Sequence, residues 1–307
     1  MWSAEAMYKN VHVIINPAAG IAEPVLTSLN RGFKEAGVEW EALVTKDAGD
    51  AAHYAAEALK QNVDCIAVYG GDGTLMEVAN VLKGHPTPMA IIPGGTANVT
   101  AKELGIPIDL EQSIALMLSK DHEIREVDIG VTGDRYFLVR LSIGVLAAME
   151  ENVDRETKAR IGTLAYAIAG FQAIRNPIVA KYQVKIDGEE FETEGVAAFI
   201  ANSGNLGIQG LSMVPTVSVS DELLDLLIIR QADLASLLQM AATAIVGDDP
   251  PPVLQHWQAR NISVSTDPVQ SVTLDGEIFS ETPVTARIAE QRVRVIVPNA
   301  STLAAAA

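Results

Sequence analysis

Gly70-Gly71-Asp72-Gly73-Thr74 sets three glycines, a carboxylate and a hydroxyl within five residues, a composition suited to holding phosphate. Glycine lets a backbone approach a ligand with no Cβ in the way, and free N–H groups at a helix start attract anions. A carboxylate in such a cradle would repel phosphate, so Asp72 makes chemical sense beside a bound Mg²⁺. The competing reading is a tight strand-to-helix turn with Asp72 or Thr74 as its N-cap. The dinucleotide fingerprint Gly-x-Gly-x-x-Gly is excluded, because Met76 stands where its third glycine belongs. No Gly-Lys pair occurs in the chain, which excludes a P-loop lysine. Any phosphate bound here falls to amides, hydroxyls and metal.

The elements around this turn follow from apolar spacing. Cys65-Ile66-Ala67-Val68 reads as a buried parallel strand, and Leu75, Val78, Ala79 and Leu82 recur at helical spacing. Upstream, Val11–Ile15 predicts a strand running into Asn16-Pro17-Ala18-Ala19-Gly20. A helix through Val25, Leu29 and Phe33 then closes near Gly37. Glu39–Thr45 alternates as a second strand, and Asp50 is expected to cap a helix over residues 51–61. Met89–Ile92 is a further strand, ending in Pro93-Gly94-Gly95-Thr96-Ala97-Asn98. Helices are expected over residues 99–104 and 110–118, the latter with a capping box at Asp109 and Gln112. Strand and helix alternate as in a doubly wound parallel sheet, where ligands bind outside the carboxyl ends of the strands. Three of those ends carry small, turn-forming sequences.

Near Asp128 the pattern changes to strands, expected over residues 135–142, 180–187, 196–201, 223–230, 262–266, 272–274, 284–288 and 293–297. Asp187-Gly188 is a hairpin signal. Two helices are expected at 156–175 and 233–246, and a stiff loop at the proline run 250–252. The expected organisation is an α/β nucleotide-binding domain over 1–128, an antiparallel β-sandwich over 129–299, and a tail over 300–307. Asp275-Gly276-Glu277 reads locally as a type I′ turn, yet its carboxylates could serve as a base for an acceptor hydroxyl.

Composition narrows the function. The 307 residues carry a formal net charge of −17, which argues against nucleic acid and against strong attraction to anionic membranes. The single cysteine, Cys65, cannot form an internal disulfide, in keeping with a cytoplasmic setting. No signal peptide is expected at the N-terminus, and the apolar stretch 234–247 is shorter than the roughly 20 residues a membrane span needs. His12, His53, His85, His122 and His256 never pair at metal-ligand spacing.

Four motifs in order, Asn16–Gly20, Gly70–Thr74, Pro93–Asn98 and Asp275–Glu277, resemble those of the diacylglycerol kinase catalytic family, which includes bacterial lipid kinases and sphingosine kinases. The resemblance spans nearly the whole chain. It implies an α/β nucleotide domain followed by a β-sandwich, with the active site in the cleft between them. It implies ATP contacts from Asn16, Pro17, Ala18, Ala19, Gly20, Thr45, Gly70, Gly71, Asp72, Gly73, Thr74, Leu75, Met76, Glu77, Gly95 and Thr96. Asp72 would act near the catalytic Mg²⁺ with support from Asp128, and Asp275 or Glu277 would accept the proton. A second, structural Mg²⁺ would be held by the Asp221 side chain and the backbone carbonyls of Ser218 and Leu223.

Some residues depart from the family pattern: Met76 replaces a usual Asn, Val99 follows Asn98 where Asp is frequent, Ile21 stands where some members have lysine, and Glu222 replaces the usual Gly. The resemblance implies an ATP-dependent lipid kinase acting on a diacylglycerol-like or related lipid alcohol. An NAD kinase-like phosphotransferase and a non-catalytic nucleotide-binding module are the alternatives. Arg155, Lys158, Arg160 and Arg175 surround a helix whose Ile161, Leu164, Ala165, Ile168 and Phe171 form an apolar stripe. That stripe either packs on the sandwich or flanks a lipid entrance. Transient peripheral membrane contact is expected, and a homodimer stays open.

Overall fold

The computed structural model describes residues 7–19, 24–144, 178–208, 211–212, 214, 216–230 and 253–299. The expected helices at 156–175 and 233–246, the proline loop, Gly20, Ile21 and the tail over 300–307 lie outside the described residues. Arg155, Lys158, Arg160 and Arg175, with the apolar residues expected to form a stripe beside them, also lie outside them. Among the described residues, no helix is long and apolar enough to cross a membrane.

Contacts divide the chain into two units, one formed by residues up to Val127 together with the segment from Gln291 onward, the other by Asp128–Glu290. The first unit contains, in order, β1 (Asn10–Ile15), α1 (Val25–Ala36), β2 (Glu39–Val44), α2 (Asp50–Lys60), β3 (Cys65–Gly70), α3 (Asp72–Leu82), β4 (Met89–Pro93), α4 (Val99–Glu103), α5 (Leu110–Leu118) and β5 (His122–Val127). The second contains β6 (Gly130–Thr132), β7 (Arg135–Phe137), β8 (Arg140–Gly144), β9 (Ala180–Ile186), β10 (Glu189–Gly195), β11 (Ala197–Ala201), β12 (Asn205–Ile208), β13 (Leu211–Ser212), β14 (Leu224–Ile229), β15 (Leu254–Ala259), β16 (Asn261–Asp267), β17 (Ser271–Leu274), β18 (Glu277–Glu281) and β19 (Val284–Ile288). A last strand, β20 (Val293–Pro298), returns to the first unit.

The first unit is one sheet in the order β2-β1-β3-β4-β20-β5, parallel except that β5 runs antiparallel to β20. β3 and β4 are buried at every residue, as expected of strands covered on both faces. Leu29 and Phe33 of α1, with Ile114, Met117 and Leu118 of α5, pack over Val11, Val13, Ala67 and Ile92 on one face. Gly37 ends α1 in the left-handed conformation at φ 70°, which a residue without Cβ adopts at no steric cost. Asp109 caps α5, accepting from the Gln112 N–H at 2.9 Å.

Two expectations need correcting. The segment 293–297 belongs to the first sheet and not to the sandwich: Val293, Val295 and Val297 bury beside β4 and β5. A strand's apolar run reports that it is buried and leaves open which sheet buries it. Asp50 does not cap α2. Its carboxylate accepts from the preceding Lys46 and Asp47 N–H groups at 2.8 and 3.0 Å, and the helix start is served by Glu77 from α3.

The second unit is an antiparallel sandwich of two six-stranded sheets, ordered β10-β9-β16-β19-β6-β7 and β15-β14-β11-β8-β17-β18. Tyr182, Val184, Ile262 and Val264 from one sheet and Leu141, Ile143, Ile200 and Leu226 from the other share a core. Alternation in β9, with every second residue buried, shows why residues 180–187 were readable as a strand. Asp187 and Gly188 turn the hairpin with φ of 47° and 101°, the type I′ geometry. The single strand expected over 135–142 is two, β7 and β8, broken at Leu138 and Val139. β15 was not expected from the sequence, because His256, Trp257 and Gln258 disguise its alternation.

Candidate functional site

In the first unit, the turns after β1, β3 and β4 are fastened together. Asn16 donates its side-chain amide to Thr74 Oγ1 at 2.9 Å, and its own Oδ1 accepts from the Ala18 N–H at 3.0 Å. Gly94 N–H reaches the Gly70 carbonyl at 2.9 Å. Asn98, left-handed at φ 48°, closes its turn with Oδ1 accepting from Gly95 N–H and Nδ2 donating to the Gly95 carbonyl, at 2.9 and 2.7 Å. Gly71 and Gly95 meet backbone to backbone: a Cβ on Gly95 would fall 2.5 Å from the Gly71 Cα. Neither backbone can retreat, so Gly95→Ala should lose nucleotide binding and lower the melting temperature, checked by ATP titration and thermal unfolding. Gly73→Ala is its control for stability alone: no protein atom lies near a Cβ there, so the melting temperature should hold.

Asp72 opens α3, and its carboxylate is committed to α4. Oδ2 accepts from Val99 N–H at 3.0 Å and Oδ1 from Thr100 N–H at 2.9 Å. Lys102, whose ammonium is pushed down by burial, is held up by the charge of Asp72. The carboxylate in the phosphate turn is thus compensated by two amides and a lysine, without requiring a metal ion. Neither expected N-cap reading holds either, since Gly71 is the N-cap of α3. Mg²⁺ remains compatible with this carboxylate, because that ion is commonly held by one or two carboxylates plus substrate phosphates and water. Lys102 was missed in the sequence because its partner lies thirty positions upstream.

The remaining expected nucleotide contacts differ in availability. Pro17, Ala18, Gly73 and Thr96 are exposed, while Ala19, Gly71, Met76 and Gly95 are half-buried. Gly70 is buried against Thr74, and Leu75 packs inward at 1% exposure, so its side chain belongs to the core. Thr45 is buried, its N–H on the Ile15 carbonyl at 2.9 Å. Glu77 accepts at Oε1 from Gly49 N–H at 3.1 Å and at Oε2 from Ala52 N–H at 3.4 Å, which makes it the anchor of α2.

In the second unit, Asp275 and Gly276 turn the β17–β18 hairpin at φ 48° and 89°, again type I′. Asp275 is more than a turn residue. Its Oδ1 accepts from Arg140 N–H at 2.8 Å while its own N–H donates to the Arg140 carbonyl at 3.0 Å. Glu277 is exposed on β18.

Asp128 is fully buried and engaged with the loop before β14: its N–H donates to the Val219 carbonyl and its Oδ2 accepts from Glu222 N–H, both at 2.7 Å. Burial pushes the Asp221 carboxyl up, and the neighbouring charges of Asp225 and Asp128 push it further the same way. A divalent cation would relieve this crowding, which is compatible with the role expected of Asp221 at a second Mg²⁺. Glu222, where the family has Gly, keeps the left-handed backbone at φ 64° and pairs its side chain with Arg260. The histidines serve packing and pairing: His122 bonds Tyr8 at 3.0 Å, and His256 bonds the buried Asp225 at 2.5 Å. Among the described residues no group of three or more His, Cys, Asp or Glu is set to hold a metal.

Comparison with known proteins agrees with both units. Residues 10–132 match the diacylglycerol kinase catalytic domain, and residues 139–297 match the YegS C-terminal NAD kinase beta sandwich-like domain. The chain belongs to the diacylglycerol kinase catalytic family. It is 29% identical over 299 residues to a diacylglycerol kinase of Staphylococcus saprophyticus, covering 95% of this chain and 97% of that protein. A diacylglycerol kinase of Bacillus subtilis is 29% identical over 302 residues, 95% of this chain and 97% of that one. The crystal structure of a diacylglycerol kinase from Bacillus anthracis matches with a TM-score of 0.79 at 26% identity, covering 97% of this chain and 100% of that chain. Membership places the protein among kinases of a lipid-kinase family.

Proposed function

We propose that the protein transfers the γ-phosphoryl group of ATP to the hydroxyl of a lipid alcohol. The observation that carries this reading is the fastened junction of three turns in the first unit, which leaves the Gly73 backbone and the Thr96 side chain open to phosphate. In the reaction the acceptor oxygen bonds to the γ-phosphorus as the bond to the bridging oxygen of ADP breaks. The electron pair leaves with ADP, and the hydroxyl proton passes to the Asp275 carboxylate. Because Arg140 N–H fixes one oxygen of that carboxylate, the acceptor hydroxyl must come to a base already oriented. Mg²⁺ at Asp72 would neutralise phosphate charge, and a second at Asp221 would relieve the crowded carboxylates.

The test is transfer of label from γ-labelled ATP in mixed micelles, with lipid alcohols and NAD as separate acceptors. A labelled phospholipid that disappears with EDTA is expected. Label on NAD alone would move the protein to the nicotinamide kinases, and ATP binding without transfer to any acceptor would make it a binding module.

A further inference from the structure

Arg140 opens β8 and is this chain's link to Asp275, yet no role in the site has been given to its side chain. Arg140 pairs across the sheet with Ala201, and Ser142 with Phe199, so the guanidinium shares a sheet face with the Phe199 ring. It lies 5.2 Å from that ring centroid and donates to the Asn205 carbonyl at 3.3 Å. Those are its contacts among the described residues, and no carboxylate is among them. The carboxylate on the same face, Asp225, pairs with Ala201 from the far side, so its Cα is about 10 Å away across two strand spacings. Its Oδ1 is already taken by His256 at 2.5 Å. Among the described residues, Arg140 is therefore a half-buried cation held on an aromatic platform with one neutral acceptor.

A guanidinium offers a planar fork of donors that matches phosphate oxygens in pairs, and a half-buried one interacts more strongly than a solvated one. Its position ties it to the acceptor, because the amide of the same residue fixes the Asp275 carboxylate. We infer that Arg140 is the anion-binding residue of the acceptor site, and that the acceptor is a lipid alcohol carrying a phosphodiester beside its reacting hydroxyl. The inference rests on the lipid kinase reading above and narrows it from lipid alcohols in general to anionic ones. A fixed local cation also answers a difficulty of this chain: with a net charge of −17, nothing in its overall field draws an anionic headgroup in.

The experiment compares wild type, Arg140→Gln and Arg140→Lys on two acceptors with matched acyl chains in nonionic micelles, diacylglycerol and phosphatidylglycerol. Glutamine leaves the backbone N–H that holds Asp275 in place. Wild type is expected to favour phosphatidylglycerol in kcat/KM. Arg140→Gln should lose about tenfold to a hundredfold on that lipid, mainly through KM, and at least tenfold less on diacylglycerol. The KM for ATP should not move, and lysine should restore part of the loss. Diacylglycerol as the better wild-type acceptor, or equal losses on both lipids, overturns the inference while leaving the kinase reading intact. Equal losses would assign the guanidinium to the transferring phosphoryl group. Transfer to neither lipid removes the kinase reading and this inference with it.

Discussion

Asp72→Ala should lose phosphoryl transfer altogether and weaken the first unit as well. Two amides at the start of α4, those of Val99 and Thr100, would be left without acceptors, and Lys102 without its countercharge. Losing a helix-start acceptor of this kind costs about 1–2 kcal/mol, worth a fall in melting temperature of about 2–4 °C per kcal/mol. Asp72→Asn separates structure from chemistry. One oxygen remains to accept, while the new NH₂ faces an N–H, so roughly half the stability loss is expected. Transfer should still fall about a hundredfold or more, because the charge that would hold Mg²⁺ against phosphate is gone. Melting curves beside activity at several Mg²⁺ concentrations make the comparison. Wild-type turnover with unchanged Mg²⁺ dependence in Asp72→Asn would show that this carboxylate serves α4 and nothing more.

Asp275 and Glu277 should part company just as widely. Asp275→Asn is a clean substitution because asparagine tolerates the left-handed backbone found at φ 48°, whereas alanine would be strained there. It can still accept from Arg140 N–H through its amide oxygen, so the hairpin should survive. What disappears is the ability to take a proton, which is worth about 10²–10⁴ in kcat. Glu277→Gln should cost far less, since an exposed side chain on β18 has no comparable anchor. Measured at saturating ATP, a larger kcat loss in Glu277→Gln than in Asp275→Asn would reverse the assignment and make Asp275 the orienting group.

The parts of this molecule that were legible in the sequence are those whose physics is local. The glycine turns announce themselves because each must be built from residues without Cβ where backbones touch, as Gly71 and Gly95 do. The type I′ turn at Asp187-Gly188 and the cap at Asp109 are likewise decided within a few positions. What escaped depends on partners far along the chain. Asp72 makes chemical sense beside Mg²⁺ on local grounds, and its amide donors on α4, twenty-seven and twenty-eight positions later, are invisible from there. Asp50 was given a cap that Glu77 fills from another helix. Arg140 carried no motif at all, and its importance appears only when β8 and β17 are laid side by side.

The return of β20 to the first sheet also fixes an order of events during synthesis. β5 is hydrogen-bonded to that sheet through β20, which separates it from β4. The strand that joins them is made last among the described elements, after the whole of Asp128–Glu290. On the ribosome, where segments fold as they emerge, the second unit is complete while the first still lacks the centre of one edge. The turns that would hold the nucleotide stand on β1, β3 and β4, so their sheet is finished only after the whole second unit has been made. Nucleotide binding by a nascent chain would therefore report that β20 has been made, with the unit begun first being completed after the second.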